Sequence, residues 1–317
     1  MTLADGVAFG TVGLLLAWAG YCFGFWIWAN ARWPASGRHV RLPDARIHVM
    51  EAGAGPMVLA IHGASANARE LWGPLQPLLQ DTFRFVAMDR PGYGHSSRPA
   101  RAHQLATQAR LAAGVIEAAG AGPAIVVAHS LGGATALRLA LDRPDLVAGL
   151  VLVAPASHPY PGGNAWHAYL ASVPVLGWLF AASVVPIVGP MQAGPGAVNV
   201  FAPAPVPANY SAEAGVMLLF RPGMFCANAR DITATKAEFA AQVPRYAEIQ
   251  APTVIISADK DRVVPPQIHA QALMQVMRAG ELVTLAGVGH MPHRLRPDVV
   301  AAAVRRIAAM APETIAP

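Results

Sequence analysis

The stretch Ala128-His129-Ser130-Leu131-Gly132-Gly133 sets a serine between a β-branched run, Ile125 to Val127, and a helix-forming run, Ala134 to Leu141. A serine hydroxyl is a weak nucleophile until a base takes its proton. The base needs a third group to orient it, and the oxyanion that forms needs hydrogen-bond donors. A serine on a strained strand-to-helix turn is held out over a sheet edge, and the helix N-terminus beneath it favours negative charge. Such a turn requires small neighbours, which Ala128, Gly132 and Gly133 supply; Ala128 carries one methyl more than a glycine would. The chemistry implied is acyl transfer through Ser130.

The remaining parts follow in the chain, each just after a predicted strand. The base is expected in a late loop. Ala286-Gly287-Val288-Gly289-His290-Met291-Pro292 follows the strand Leu282 to Leu285, and its glycines free the backbone to aim His290; His293 is the alternative. The acid is expected after the strand Pro252 to Ser257. Asp261 is favoured because Arg262-Val263-Val264-Pro265 then turns into the next helix, whereas Asp259 reads as a turn residue. Two backbone N–H groups are expected to form an oxyanion hole. One is Leu131, after the nucleophile; the other is Ala64, in the loop His62-Gly63-Ala64-Ser65, where Gly63 permits the turn and His62 supports it. Ser65 either assists there or caps the next helix, and the cap is favoured. Asp89-Arg90-Pro91-Gly92-Tyr93-Gly94-His95-Ser96 reads as a rigid structural turn, and His269 as a surface or packing residue.

These residues need a scaffold. Arg38 to Glu51 alternates as a strand pair turning near Pro43-Asp44. Short apolar strands are expected at Met57 to Ile61, Phe83 to Met88, Ala124 to Ala128, Leu150 to Val153, Thr253 to Ser257 and Leu282 to Leu285. Between them lie helices at Arg69 to Leu79, Gln104 to Ala119, Leu131 to Asp142, Pro266 to Arg278 and Pro297 to Met310. Apolar strands alternating with helices indicate a parallel sheet covered on both faces. The alternation breaks from about Pro155 to Ala251. About ninety residues rich in Pro, Gly and aromatics are too many for a plain loop, so a helical cap over the sheet's C-terminal edge is expected. Pro174 and Pro186 break any single helix there. The stretch Trp178 to Val188 is too short to span a bilayer, and packing on the core is favoured over a membrane-dipping face.

The chain has 317 residues, of which 54% are hydrophobic and 13% charged, which argues against extensive disorder. The net charge is +5 and the pI about 9.6. No basic cluster with interleaved aromatics exists, so nucleic acid is not an expected partner. Cys22 and Cys226 lie far apart and read as free thiols. No metal or cofactor is expected, because no HExxH, paired Cys/His set or dinucleotide fingerprint is present. From Gly6 to Ala31 no residue is charged. Phe9 to Trp28 is about as long as the 20 residues that cross a bilayer as a helix. Trp26, Trp28 and Trp33 cluster at one end, followed by Arg32, Arg38, Arg41 and Arg46. The positive-inside rule then places the body in the cytoplasm, behind a single-pass anchor. A cleaved signal peptide, ending near Ala29-Asn30-Ala31, is the alternative and would make the body secreted or periplasmic.

The motifs His62-Gly63, Asp89 to Ser96, Ala128 to Gly133, Asp259 to Pro266 and Gly287 to Pro292 together resemble the α/β-hydrolase superfamily, from about Arg38 to the C-terminus, and in particular its capped bacterial esterase and lipase-like members. The order Ser130, Asp261, His290 matches that family's triad order. The resemblance implies an α/β fold with an eight-stranded, mostly parallel sheet, helices on both faces and a lid after the sixth strand. The expected organisation is an anchor at 1–34, a core at 35–154 and 252–317, and a cap at 155–251. An N-terminal membrane helix before such a domain also resembles membrane-anchored monoacylglycerol lipases in architecture. Haloalkane dehalogenases and epoxide hydrolases of this fold carry Asp at the nucleophile position, so Ser130 disfavours those activities. The expected function is a membrane-anchored serine hydrolase acting on a small-molecule carboxylic ester or lipid with an apolar acyl chain. Acyl transfer, thioester, C–C bond and perhydrolase chemistry use the same triad and stay open; a non-catalytic membrane partner is the least favoured reading. The oligomeric state is not legible in the sequence.

Overall fold

A computed structural model describes residues 3–120 and 122–310. The amino terminus of the expected anchor and residues 311–317 of the expected core lie outside the described residues. Helix α1 (Leu3–Arg32) precedes β1 (Arg38–Arg41), β2 (Arg46–Ala52), β3 (Met57–Ile61), α2 (Arg69–Leu79), β4 (Arg84–Met88) and α3 (Leu105–Ala119). Then come β5 (Ala124–His129), α4 (Leu131–Asp142) and β6 (Val147–Val153). A helical insertion follows: α5 (Trp166–Ser172), α6 (Leu176–Ser183), α7 (Val185–Phe201), α8 (Tyr210–Glu213) and α9 (Pro222–Gln242). The sheet resumes with β7 (Thr253–Ala258), α10 (Ala270–Val276), β8 (Gly280–Leu285), α11 (Pro292–Leu295) and α12 (Pro297–Met310).

The eight strands lie in the order β1-β2-β4-β3-β5-β6-β7-β8. Only the pairs β1–β2 and β2–β4 are antiparallel; β4 through β8 run parallel. The two-residue period of a strand sends alternate side chains to opposite faces. Along β3, Met57, Leu59 and Ile61 pack with Ile116 of α3 and Leu137 of α4. Val58 and Ala60 pack on the other face with Leu75 of α2 and Val304 of α12. All five are buried, which is why the central strands read as unbroken apolar runs rather than as alternating ones. Helix α12 buries Val300, Val304 and Ile307, the stripe that a 3.6-residue period predicts.

The insertion leaves the sheet after β6, as the alternation in the sequence implied. Pro174 falls between α5 and α6. Pro186 opens α7, and α6 and α7 meet at a bend of 71°. One helix is shorter than the sequence pattern implied. The stretch expected to run from 266 to 278 is helical only over Ala270–Val276, because Ile268 and His269 both donate to the Pro265 carbonyl in a turn that precedes it.

Candidate active site

Ser130 sits between β5 and α4 with φ of 52°, in the left-handed region that non-glycine residues avoid. Such strain costs of order 1–3 kcal/mol and persists only where the surroundings over-determine it. They do so here. The Ser130 N–H donates to Val153 O of β6, and its carbonyl accepts from the N–H groups of Gly133 and Ala156. The small neighbours have specific duties. A Cβ on Gly132 would lie 2.6 Å from the His62 carbonyl oxygen and would also collide with that of Ile61. A Cβ on Gly63 would lie 2.8 Å from Ser130 Cβ.

His290 and Asp261 reach Ser130 from the ends of β8 and β7. His290 Nε2 lies 3.0 Å from Ser130 Oγ, and His290 Nδ1 lies 2.7 Å from Asp261 Oδ2. With Nδ1 donating to the carboxylate, Nε2 is left as an acceptor for the hydroxyl proton, the tautomer a general base needs. Asp261 is itself fixed: its Oδ1 accepts the N–H groups of Val263 and Val264 at 2.9 and 2.8 Å. All three side chains are buried. Asp259, the alternative acid, instead accepts the Gly287 N–H at 2.7 Å and so steadies the loop that carries His290. His293, the alternative base, is turned away to Glu70 at 3.0 Å.

The two residues expected to donate to an oxyanion lie on different elements. Leu131 is the first residue of α4, where helical N–H groups have no intrahelical acceptor. Ala64 lines the adjoining cavity, and the next amide, that of Ser65, is committed to Asn228 Oδ1 at 2.7 Å. The expectation that Ser65 caps the next helix is corrected here. Its hydroxyl accepts from Asn228 Nδ2, and the Arg69 N–H goes to the Asn67 side chain instead. The helix begins four residues later, too far for the Ser65 side chain to serve its first turn.

The two supporting loops are held by buried polar groups. His62 Nδ1–H donates to Gly63 O at 2.8 Å, and its Nε2 accepts the Arg90 N–H at 2.9 Å. Burial, aided by the Arg90 charge, pushes the His62 pKa down to about 4. Asp89 accepts from the Ala68 and His95 N–H groups and from His48. Burial raises its pKa, but these donors outweigh it and hold the carboxyl below the ordinary range. Arg90 forms a buried ion pair with Asp231 of α9 at 2.6 Å. The turn 89–96 is structural, as its rigidity implied. His269, also buried, accepts the Ser157 N–H and is likewise a packing residue.

Four contributors, His129, Val200, Asn228 and Glu70, escaped the sequence reading. His129 Nε2–H donates to the His290 carbonyl at 2.9 Å, while Val200 O of α7 accepts the His290 N–H at 2.9 Å, so the base is clamped at both backbone groups. Burial holds His129 well below the ordinary histidine range. Its place beside Ser130 was the one available signal. Asn228 of α9 fixes the loop after Ala64, and nothing in the pattern of the insertion marked it. Glu70 accepts from His293, Arg294 and Tyr210. Burial opposes its charge, yet those donors bring its pKa to about 2.

A cavity of about 690 Å³ opens against Ala64, His129 and His290 and runs under the insertion, where Phe180, Val185 and Val188 are among its walls. Among the described residues that line it, none is Lys or Arg. No cluster of His, Cys, Asp or Glu among the described residues has the geometry to hold a metal ion. A hydroxyl hydrogen-bonded to an oriented imidazole, beside a largely apolar cavity, is an arrangement that can attack a carbonyl carbon.

Known proteins resemble this chain in part of the sequence or in the fold. Over 116 residues the chain is 34% identical to the 2-(acetamidomethylene)succinate hydrolase of Mesorhizobium japonicum, a match covering 37% of this chain and 41% of that protein. It is 42% identical over 112 residues to lipase LipV of Mycobacterium tuberculosis, covering 35% and 42%. The chain thus spans less than half the length of these curated relatives. Among solved structures, Cfl2 of Burkholderia cenocepacia superposes with a TM-score of 0.69 at 24% identity, covering 86% of this chain and 96% of that one. A membrane phospholipase A superposes with a TM-score of 0.63 at 22% identity, covering 98% and 97%. Both share the fold. The α/β hydrolase fold family matches from residue 56 to residue 297, that is from the first parallel strand to the start of the last helix. The parallel sheet, the strained serine turn and the sequence match converge on one statement: this chain is a member of the α/β hydrolase fold family.

Proposed function

We propose that the protein is a membrane-anchored serine hydrolase of carboxylic esters with apolar acyl chains. The observation that carries this reading is the hydrogen-bonded line Ser130–His290–Asp261 opening into a large apolar cavity. In this mechanism Ser130 Oγ attacks the ester carbonyl while His290 Nε2 takes its proton. The oxyanion is held by the N–H groups of Leu131 and Ala64. His290 then protonates the departing alcohol, leaving an acyl-Ser130. Water, deprotonated by His290, attacks that ester, and the acid leaves as Ser130 recovers its proton. Loss of one oxyanion donor in such sites costs about 10²–10³ in rate. The core at 35–154 and 252–317 carries this machinery, and the insertion at 155–251 acts as the cap.

The lining supports an uncharged acyl group. The Mesorhizobium relative is named for a succinate derivative, a carboxylate. A carboxylate in this cavity would meet Glu70 and no Lys or Arg among the described lining residues. Transfer of the acyl group to an alcohol or thiol, rather than to water, would use the same residues, and product analysis with competing acceptors separates the two.

Helix α1 supports the anchor. Val7–Arg32 is long and apolar enough to cross a membrane, and 6% of its most apolar window is buried. Its last turns are nonetheless docked. Phe25 and Ala29 pack with Ala181, Val185 and Phe220, Asn30 accepts from Arg221, and the Trp33 indole N–H donates to Ala212 O at 2.7 Å. Cleavage near Ala31 would strip Phe25 and Ala29 from that cluster, which favours a retained helix over a signal peptide. Arg32, Arg38, Arg41 and Arg46 favour a cytoplasmic body.

The test is fluorophosphonate labelling of membrane and soluble fractions from cells expressing wild type or Ser130→Ala, followed by hydrolysis of p-nitrophenyl esters of increasing chain length. Membrane-fraction labelling that vanishes in the variant, with a preference for longer acyl chains, is expected. Folded wild type that neither labels nor cleaves any ester would overturn the assignment of the triad.

A further inference from the structure

The cap has an unusual charge distribution. Residues 146–212, which include β6 and α5 through α7, contain no Asp, Glu, Lys or Arg, in a chain that is 13% charged overall. A water-facing helix turns its polar residues outward. Helix α7 shows no such division: Gln192 and Asn199, which border the cavity mouth, are exposed, and so are Met191 and Val198, at 70% and 60%. Trp178 and Leu179 of α6, and Trp166 and Tyr169 of α5, are exposed as well. Contiguous exposed apolar surface of this kind marks an interaction site.

The position of α1 says what covers it. Cys22 Sγ donates to Ser183 O at the α6–α7 corner, and Phe25 and Ala29 pack on Ala181 and Val185 across it. From Trp33 back to Cys22 is eleven residues, or ~16 Å along a helix and ~15 Å after a tilt of about 20°. The headgroup region is only about 5–8 Å thick on each side. With Trp33 set at its outer edge, the corner beside Cys22 still lies within the hydrocarbon. Its backbone suits that depth. The Val184 N–H keeps Phe180 O, the N–H groups of Ile187 and Val188 keep Val184 O, and Pro186 has no donor to satisfy.

We propose that the α6–α7 corner is a re-entrant wall embedded in the leaflet on the body's side of the bilayer, and that acyl chains pass from the hydrocarbon directly into the catalytic cavity behind it. The inference rests on the anchor reading of α1. It deepens that reading by naming the partner, a lipid bilayer, and the route, since Phe180, Val184 and Val188 belong to the corner and to the cavity wall alike. The acyl chain then exchanges one apolar surrounding for another without crossing water.

Full-length chain in phosphatidylcholine–phosphatidylglycerol vesicles tests it. An environment-sensitive fluorophore is attached at Leu179→Cys, at Met191→Cys, or at Gln250→Cys on the exposed loop before β7, with unsubstituted protein as the labelling control. Probes at 179 and 191 are expected to be quenched by doxyl-labelled acyl chains and shielded from aqueous iodide, with the opposite at 250. Iodide reaching 179 and 191 as readily as 250 overturns the proposal. So does shielding from both quenchers, which would mean that a second copy or another protein covers the corner. A chain that does not float with vesicles overturns the anchor reading and this one together. A second arm uses Leu179→Glu/Met191→Glu, two residues outside the cavity lining. Turnover of a long-chain ester dispersed in vesicles should fall about tenfold, while hydrolysis of a water-soluble butyrate ester is unchanged. Equal rates on both esters in variant and wild type overturn lateral entry. If wild type cleaves neither ester, the hydrolase reading fails, and the quenching pattern still decides the membrane contact.

Discussion

His62 makes the stability of the chain depend on pH in a way that can be isolated. Both ring nitrogens are spent in the neutral form: Nδ1–H donates to Gly63 O and Nε2 accepts from the Arg90 N–H. Burial first, and then the neighbouring Arg90 guanidinium, disfavour a second proton, which would also set N–H against N–H, and the folded pKa is depressed to about 4. In the unfolded chain the value is about 6.5. Between these values the unfolded chain binds a proton that the folded chain refuses. The contribution of His62 is therefore intact above about pH 6.5, falls as pH drops toward 4, and is level below that. The slope is ~1.4 kcal/mol per pH unit, giving a loss of about 3 kcal/mol across the window. In His62→Gln the amide keeps one donor and one acceptor but does not titrate. Urea unfolding of the full chain in mild detergent, followed by tryptophan fluorescence from pH 7 to about pH 4.5, should show wild type losing about 2–3 kcal/mol more than the variant over that range. Other histidines with lowered pKa values, such as His129 and His269, are common to both proteins and cancel in the difference. Parallel stability curves would refute the assignment of His62 as a buried neutral group.

Three further outcomes follow from the geometry. Asp261→Asn should leave the fold intact but leave the imidazole without a carboxylate to hold its tautomer, lowering turnover by about 10⁴; steady-state hydrolysis beside thermal unfolding checks it, and a rate near wild type would remove Asp261 from the site. Gly132→Ala drives a methyl into the His62 and Ile61 carbonyl oxygens, both backbone and unable to step aside. It should cost about 1–3 kcal/mol and slow fluorophosphonate labelling, and an unchanged Tm would contradict the close crossing. Arg90→Met removes the deepest ion-pair partner of Asp231, leaving a buried carboxylate whose remaining charge partner is the part-exposed Arg98, with hydrogen bonds from Tyr93 and Gln108. A loss of about 3–5 kcal/mol in denaturant titration is expected, whereas a loss below 1 would show that Arg98 suffices.

Local rules explain why the candidate site residues were legible. A serine between a β-branched run and a helical run, flanked by Gly132 and Gly133, records a turn that only small residues allow. Glycines before His290 and the Val263-Val264 amides after Asp261 are likewise short-range features. The strand positions, a parallel sheet covered on both faces and the point of insertion followed from apolar runs alternating with helical ones, whereas the order of the strands was set by tertiary pairing. Composition gave the apolar N-terminal helix as well. What tertiary structure alone decided is everything that rests on residues far apart in the chain. Asp259 and Asp261 are two positions apart, and only the packing of β7 against β8 turned one toward Gly287 and the other toward His290. His290 and His293 differ in the same way, because Glu70 from α2 claims the second. Asn228 and Asp231 lie in an insertion with no periodic pattern, yet they tie α9 to the loops after β3 and β4. The docking of Phe25 against Ala181 and Val185 is of this kind as well. A sequence records which side chains tolerate burial or strain at each position, but the partner that satisfies a buried polar group is chosen by folding, when distant segments compete for the same donor.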